Sequence, residues 1–335
     1  MSRAPLRVAV LGAGTVGGAV VRAFVDSPER LVAHDGTPLI LAGIAVRDLE
    51  AARLHGLPAE LLTDAPAHLV ASPEIDVVVE LMGGDEPAHT LIAAALSAGK
   101  PVVTANKHVI AHHGAELEAI ARRTGARLRF EATVGGGIPI LGPLAADLAA
   151  NEVTRVRGIV NGTTNHILTA MAEDGLPYAE ALADAQALGY AEADPTGDVE
   201  GADAVNKLVI LARLAFGAWL DPAAIVCRPP TARGSGRPGI SGVTDDEMEG
   251  AAALGYTLKL LASAARVGED GAIAASVLPT AVPSNSPFGR TDGVVNRIEI
   301  EASPVGTVRF AGPGAGGDAT SSAVLGDLIA VSRGL

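Results

Sequence analysis

Residues 6–17 read LRVAVLGAGTVG, and this stretch decides the fold. Leu6 to Leu11 is a short, β-rich apolar run, the pattern of a strand buried within a parallel sheet. Gly12, Gly14 and Gly17 then set out G-x-G-x-x-G, with Thr15 and Val16 inside the motif, and a helical pattern runs on to Val25. The first glycine permits a tight turn and the second lets a pyrophosphate approach the backbone. The third lets helix and strand pack closely, with the phosphates at the helix N-terminus. Glycine makes up 40 of the 335 residues, so the bare spacing carries little weight. Its setting between a strand and a helix, at the start of an α/β pattern, gives it force. The expectation is a dinucleotide cradle made by Gly12, Gly14, Thr15, Val16 and Gly17.

Outward from this turn, Leu39 to Val46, Ile75 to Leu81 and Pro101 to Thr104 read as further strands, with a helix over Pro87–Ala98. In a doubly wound sheet the loops after strand C-termini line the ligand crevice. Met82 and Gly83, in one such loop, and Lys107, closing another, therefore join the glycine turn. Lys107 also opens a helix, where a cation opposes the dipole, and broken local rules often mark function. Arg47 and Asp48 follow the second strand. An arginine there accepts a ribose 2′-phosphate and an acid binds the 2′-hydroxyl, so NADP and NAD both stay open. Within FEATVGGGIPI, residues 130–140, three glycines suggest a hinge between domains or a loop whose carbonyls hold a hard cation. On the residues alone the hinge is the better reading.

The second half begins with a strand pattern over Val153–Val160 that feeds the turn NGTTN, residues 161–165, and helices over Asn165–Glu173 and Tyr178–Leu188. Next comes GYAEADPTGDVEGADAVNKLVILARLAFG, residues 189–217, with Glu192, Asp194, Asp198, Glu200 and Asp203 ahead of an apolar run. An unbroken helix from Val199 to Phe216 would put Glu200, Asp203 and Lys207 on one stripe. A helix apolar on all sides is buried, so that stripe would lead from a polar pocket into a core. An Asp203–Lys207 pair facing a cavity suits a charged small molecule. The same pair on a surface would be worth only about 0.3–0.5 kcal/mol. The Pro/Gly/Ser-rich segment Arg228–Val243 reads as a surface loop. Strand patterns over Leu254–Ala265, Ala272–Val282, Val294–Glu301 and Val305–Phe310 point to a mixed sheet. A glycine-rich loop at 312–317 then leads into an amphipathic helix, Ala319–Ser332, expected to dock back on the first domain.

Composition narrows the field. With 48% hydrophobic and 19% charged residues the chain is an ordinary globular one, long enough for two cores. Its 25 Lys and Arg against 38 Asp and Glu leave no basic surplus for a nucleic-acid partner. No run is long enough to span a membrane. The one cysteine, Cys227, excludes an internal disulfide and suits a reducing cytoplasm. No His/Cys cluster at ligand spacing suggests a catalytic metal, and His112-His113 reads as solvated.

Together the motifs GAGTVGG, ELMGG, TANK, EATVGGGIPI, NGTTN, GYAEADPTGDVEGADAVNKLVILA and GPGAGGDATSSAVLGDL resemble the homoserine dehydrogenase family, in that family's order and over essentially the whole chain. The resemblance implies an α/β protein with a Rossmann-type, doubly wound nucleotide-binding domain (1–132, joined by 311–335). Its partner would be an α+β catalytic and dimerisation domain with a mixed sheet (133–310). It implies a cytoplasmic homodimer of the aspartate-family amino-acid pathway that interconverts L-homoserine and L-aspartate 4-semialdehyde with NADP or NAD. Lys207 matches the proton donor and acceptor, and Lys107 a second candidate near the nicotinamide. Glu192 and Asp203 match substrate ligands, with Asp198 supporting them, and Gly316 a glycine touching the cofactor. Glu131, Val134, Gly136 and Ile138 match positions holding a monovalent cation, Na or K, mainly through backbone carbonyls, which reverses the hinge preference. Many family members carry a regulatory domain that this chain's motifs do not include, so threonine feedback through such a domain is not expected. The sequence SNSPFG at 284–289 also departs from the family's usual run. Two rival readings are a reductase of a different semialdehyde and a dinucleotide-sensing protein without catalysis. The second has no need of Lys107 and Lys207.

Overall fold

Val8, Ala9, Val10 and Leu11 have no exposed surface, which makes β1 (Leu6–Leu11) the middle of a sheet covered on both faces. The computed structural model describes residues 4–32, 36–231, 234–268 and 271–331. Five more strands flank β1: β2 (Leu39–Ala45), β3 (Leu62–Thr63), β4 (Val77–Glu80), β5 (Val102–Thr104) and β6 (Leu128–Arg129). Their order is β3-β2-β1-β4-β5-β6 and every pairing is parallel. The order reverses direction between β1 and β4, so the crevice at the C-terminal ends of those strands is where a doubly wound sheet binds its ligand. Helices α1 (Thr15–Asp26), α2 (Leu49–Leu54), α3 (Pro66–Ala71), α4 (Ala88–Ser97) and α5 (Lys107–Thr124) make the crossovers.

The chain divides into two compact units, residues 1–137 with 315–335, and residues 138–314. The second contains α6 (Leu141–Ala145), β7 (Glu152–Ile159), α7 (Gly162–Glu173), α8 (Tyr178–Ala187), α9 (Thr196–Val199) and α10 (Ala202–Phe216). A short ribbon of β8 (Pro230–Thr231) and β9 (Gly234–Ser235) precedes α11 (Asp245–Ala253). The long strands β10 (Tyr256–Val267), β11 (Ala272–Pro283), β12 (Val295–Ser303) and β13 (Gly306–Pro313) complete it. The final helix, α12 (Gly317–Val331), belongs to the first unit: Val324, Leu328 and Val331 share a core with Val8, Val10, Val20 and Phe24.

Three features differ from the sequence expectation. The five-stranded sheet, β11-β10-β7-β12-β13, is antiparallel at all four pairings rather than mixed. Short connections join β10 to β11 and β12 to β13, and a hairpin runs its strands oppositely. Among the described residues of this unit, the parallel link is an isolated bridge from Val226 to Ser276. Secondly, the helix expected over Val199–Phe216 is broken at Gly201, whose φ of 90° is left-handed. Glu200 therefore closes α9 and leaves the Asp203–Lys207 stripe. Thirdly, the segment expected as a surface loop ends docked on that break. Ile240 is fully buried and its N–H donates to Val199 O at 2.8 Å. A Cβ on Gly239 would come within 2.7 Å of the Glu200 Cα. Among the described residues no helix is long and apolar enough to cross a membrane.

Candidate active site

The turn after β1 fits a dinucleotide phosphate. Gly12 has a φ of 94°, and a Cβ there would lie 2.9 Å from the Met82 Cα, so the β1 and β4 loops touch only because Gly12 has no side chain. A Cβ on Gly17 would collide with the Gly12 carbonyl oxygen, which explains the third glycine. Gly14 caps α1 without a side-chain hydrogen bond, and its own Cβ position faces open space. The N–H groups of Thr15 and Val16 open this 12-residue helix, whose first turn carries no acid. That is a cradle for an anion. Gly316, φ 109°, precedes α12, and a Cβ on Gly317 would come 3.1 Å from Thr15 O, so the terminal glycine loop lies against the same helix end. Gly83, φ 72°, continues the β4 loop beside Met82.

A buried acid that the sequence reading did not single out ties the loops together. Glu80, wholly buried at the end of β4, accepts the Met82 N–H at 2.8 Å and the Thr104 hydroxyl at 2.6 Å. Asn106 donates from Nδ2 to Gly84 O at 2.8 Å and caps α5 through Val109 N–H. Lys107 is thus held at the start of α5 by side chains from both loops. Burial pushes the Glu80 carboxyl up from its ordinary value, against the bonds from Thr104 and Met82 that favour the ionised form. Nothing in the local sequence gives this away, because ELMGG reads as the end of an apolar strand.

At the end of β2 the two candidates for the ribose have different jobs. Asp48 is the N-cap of α2, its carboxylate accepting the Ala51 N–H at 2.9 Å. Arg47 is exposed.

In the second unit the structure gathers Asp198, Asp203 and Lys207 around Asn161. Lys207 Nζ donates to Asp203 Oδ2 and to Val160 O, each at 2.7 Å. Their side chains are only 12% and 8% exposed, so this i, i+4 pair is no solvated surface pair. Asn161 Nδ2 donates to Asp198 Oδ1 at 2.7 Å and to Asp203 Oδ2 at 2.8 Å, while its Oδ1 accepts the Thr164 N–H at 2.8 Å and so caps α7. One amide thereby joins α7, the α9 acid and the α10 acid. From the sequence alone NGTTN reads as a turn, since the partners of Asn161 lie 37 and 42 residues away. Glu192 is not part of this knot; it is exposed in the turn after α8, its carbonyl accepting from Gln186 Nε2 at 3.0 Å.

The 131–138 loop turns through Gly135 and Gly136, with φ of 73° and 56°. Glu131 N–H donates to Asp327 Oδ2 on α12 at 2.7 Å. Burial, and then the charge of Glu131, raise the Asp327 carboxyl to about 7, against the bond from Glu131 N–H. Val134 is wholly buried and Gly136 lies beside it in the first unit, while Ile138 opens the second.

Comparison with known proteins divides the chain near the same point, after residue 131, although the second match runs on into α12. Residues 12–131 match the family model "Homoserine dehydrogenase, NAD binding domain" and residues 139–329 match "Homoserine dehydrogenase". A homoserine dehydrogenase of Mycobacterium tuberculosis is 47% identical over 332 residues, covering 98% of this chain and 73% of that protein. The crystal structure of a homoserine dehydrogenase from Thiobacillus denitrificans superposes with a TM-score of 0.92 at 40% identity, covering 99% of this chain and 74% of that one. A hyperthermophilic archaeal homoserine dehydrogenase mutant in complex with NADPH gives a TM-score of 0.79 at 29% identity, covering 98% of both chains. With an NAD-binding cradle and a buried lysine–carboxylate cluster behind these matches, the chain belongs to the homoserine dehydrogenase family.

Proposed function

We propose that the chain interconverts L-homoserine and L-aspartate 4-semialdehyde with NADP as the favoured hydride carrier, in the aspartate-derived route to threonine and methionine. The observation that carries this is the buried Lys207 ammonium, pinned by Asp203 and the Val160 carbonyl. Two of its three donors are thereby engaged, and the third is the one a substrate oxygen would take. When bound, the nicotinamide supplies or takes the hydride. Lys207 protonates the oxygen as the aldehyde carbon is reduced, and accepts the hydroxyl proton in reverse. Asp203 and Asp198 hold the polar wall, and Glu192 receives the substrate ammonium. Lys107 serves as a second proton-relay group, held at its helix start by the Glu80–Thr104–Asn106 network. Gly12, Gly14, Thr15, Val16, Gly17, Met82, Gly83 and Gly316 contact the cofactor. The preference for NADP rests on Arg47, exposed where Asp48 is committed to capping α2.

A monovalent cation, Na or K, suits the carbonyls of Val134, Gly136 and Ile138 with Glu131. These are hard oxygen donors on a loop with two left-handed glycines. A cytoplasmic homodimer paired through the second unit's sheet completes the reading, with exposed Val295 and Val305 on or beside its strands available for burial. The test is turnover followed at the reduced-nicotinamide absorbance band, with L-homoserine, L-serine and L-threonine each offered with NAD and with NADP. Turnover confined to L-homoserine and faster with NADP supports the reading. Turnover with another hydroxy acid alone, or none despite dinucleotide binding, removes it.

A further inference from the structure

Helices α4 and α5 carry a group of side chains that the reaction does not use. His89 is on the first turn of α4, and His113 and Glu116 lie three residues apart on one face of α5. The imidazoles of His89 and His113 stack with centroids 4.0 Å apart, and His89 Nε2 lies 3.3 Å from Glu116 Oε2. One nitrogen from each histidine and one Glu116 oxygen all fall within 4.8 Å of one another. From these side chains we infer a second, non-catalytic metal site, selective for a borderline divalent ion such as Zn2+.

Two imidazoles and one carboxylate suit Zn2+, Co2+ or Ni2+ and not Ca2+ or Mg2+, which prefer all-oxygen shells. Bonds of about 2.0–2.2 Å to a tetrahedral ion draw the donor atoms to roughly 3.5 Å apart, so the set must close by about an ångström. The histidines, 18% and 28% exposed, are already held, whereas Glu116 at 58% is the arm that moves. The stacked rings, with centroids 4.0 Å apart, must also splay so that one lone pair of each meets the ion. Asp85 sits 2.8 Å from His113 Nε2, leaving the other ring nitrogen for the ion, and acts as the carboxylate that orients a ligating imidazole. Asp85 and Glu86 directly follow Gly84, so an ion here would also brace the loop that carries Met82 and Gly83. Sequence spacing could not show this: His89 and His113 come from different helices and no C-x-x-C or H-x-x-x-H pattern marks them.

The test is calorimetric titration of Zn2+ alone into the chelator-treated full chain, repeated with Co2+ to read ligand-field absorption. We expect one equivalent per chain, lost in His89→Ala and in His113→Ala, weakened about tenfold in Asp85→Asn, and retained in the control His68→Ala on an exposed helix end. Circular dichroism checks that each variant keeps its helices. Unchanged stoichiometry and affinity in the folded His89→Ala/His113→Ala double variant would overturn the assignment. So would absence of binding by the wild-type chain.

Discussion

At the scale of single residues, Asn161 is the informative one. Its amide donates to two carboxylates at once, so removing it takes that partner from the buried Asp203 and the half-buried Asp198. An orphaned buried acceptor costs about 1–3 kcal/mol, or roughly ten- to a hundredfold in an equilibrium or rate. Asn161→Ala should therefore lower kcat/KM for L-homoserine by that factor while leaving dinucleotide affinity unchanged, as steady-state kinetics and a fluorescence titration would read. Asn161→Asp keeps the cap but sets a third carboxylate against two others, so its loss should deepen as pH rises. A loss confined to cofactor binding would contradict this role. Arg47→Ala carries a separate prediction: KM for NADP should rise about tenfold or more with NAD little affected. An equal effect on both cofactors would count against a 2′-phosphate contact. Arg47 was visible in the sequence because strand-end chemistry is local. Asn161 and Glu80 were not, because their partners are distant in the chain and only folding brings them near.

At the scale of elements, the break at Gly201 separates what the sequence suggests from what the chain does. The apolar period continues through 199–216 and a lone glycine inside it reads as a tolerated helical residue, so the unbroken helix was the natural expectation. The two geometries make opposite predictions for Gly201→Ala. In a continuous helix alanine would stabilise by about 1 kcal/mol. At a φ of 90°, with Val277 Cγ1 3.3 Å from the new Cβ, it should destabilise by about 1–2 kcal/mol. Urea denaturation gives the sign directly. By contrast the parallel strands, the glycine turn and α12 were legible, because each depends on short-range patterning: continuous apolar runs, glycines at fixed offsets, an amphipathic repeat. The antiparallel sheet was half legible. Its strands were placed, but their directions depend on hairpin connections that apolar content does not encode.

For the whole molecule, Asp327 links stability to pH. Its folded value of about 7 lies well above the ordinary aspartate range, so between those two pH values the native state holds a proton the unfolded chain releases. Stability contributed at this site is therefore greatest below about pH 4, falls as pH rises to about 7, and is constant beyond. Asp327→Asn, whose amide oxygen can still accept the Glu131 N–H, should raise the melting temperature at pH 8 and change it little at pH 4. Up to roughly 4 kcal/mol is at stake at the higher pH. Equal shifts at both values would assign the effect to packing instead.

The central claim is that this chain turns over L-homoserine with Lys207 moving the proton. The most direct measurement compares wild-type and Lys207→Ala proteins for reduction of NADP by L-homoserine, with NADP affinity measured on both. The account predicts clear turnover by the wild type and a fall in kcat of about a hundredfold or more in the variant, with NADP affinity unchanged. A variant that retains wild-type kcat, or a wild type that binds NADP but leaves L-homoserine untouched, would contradict it.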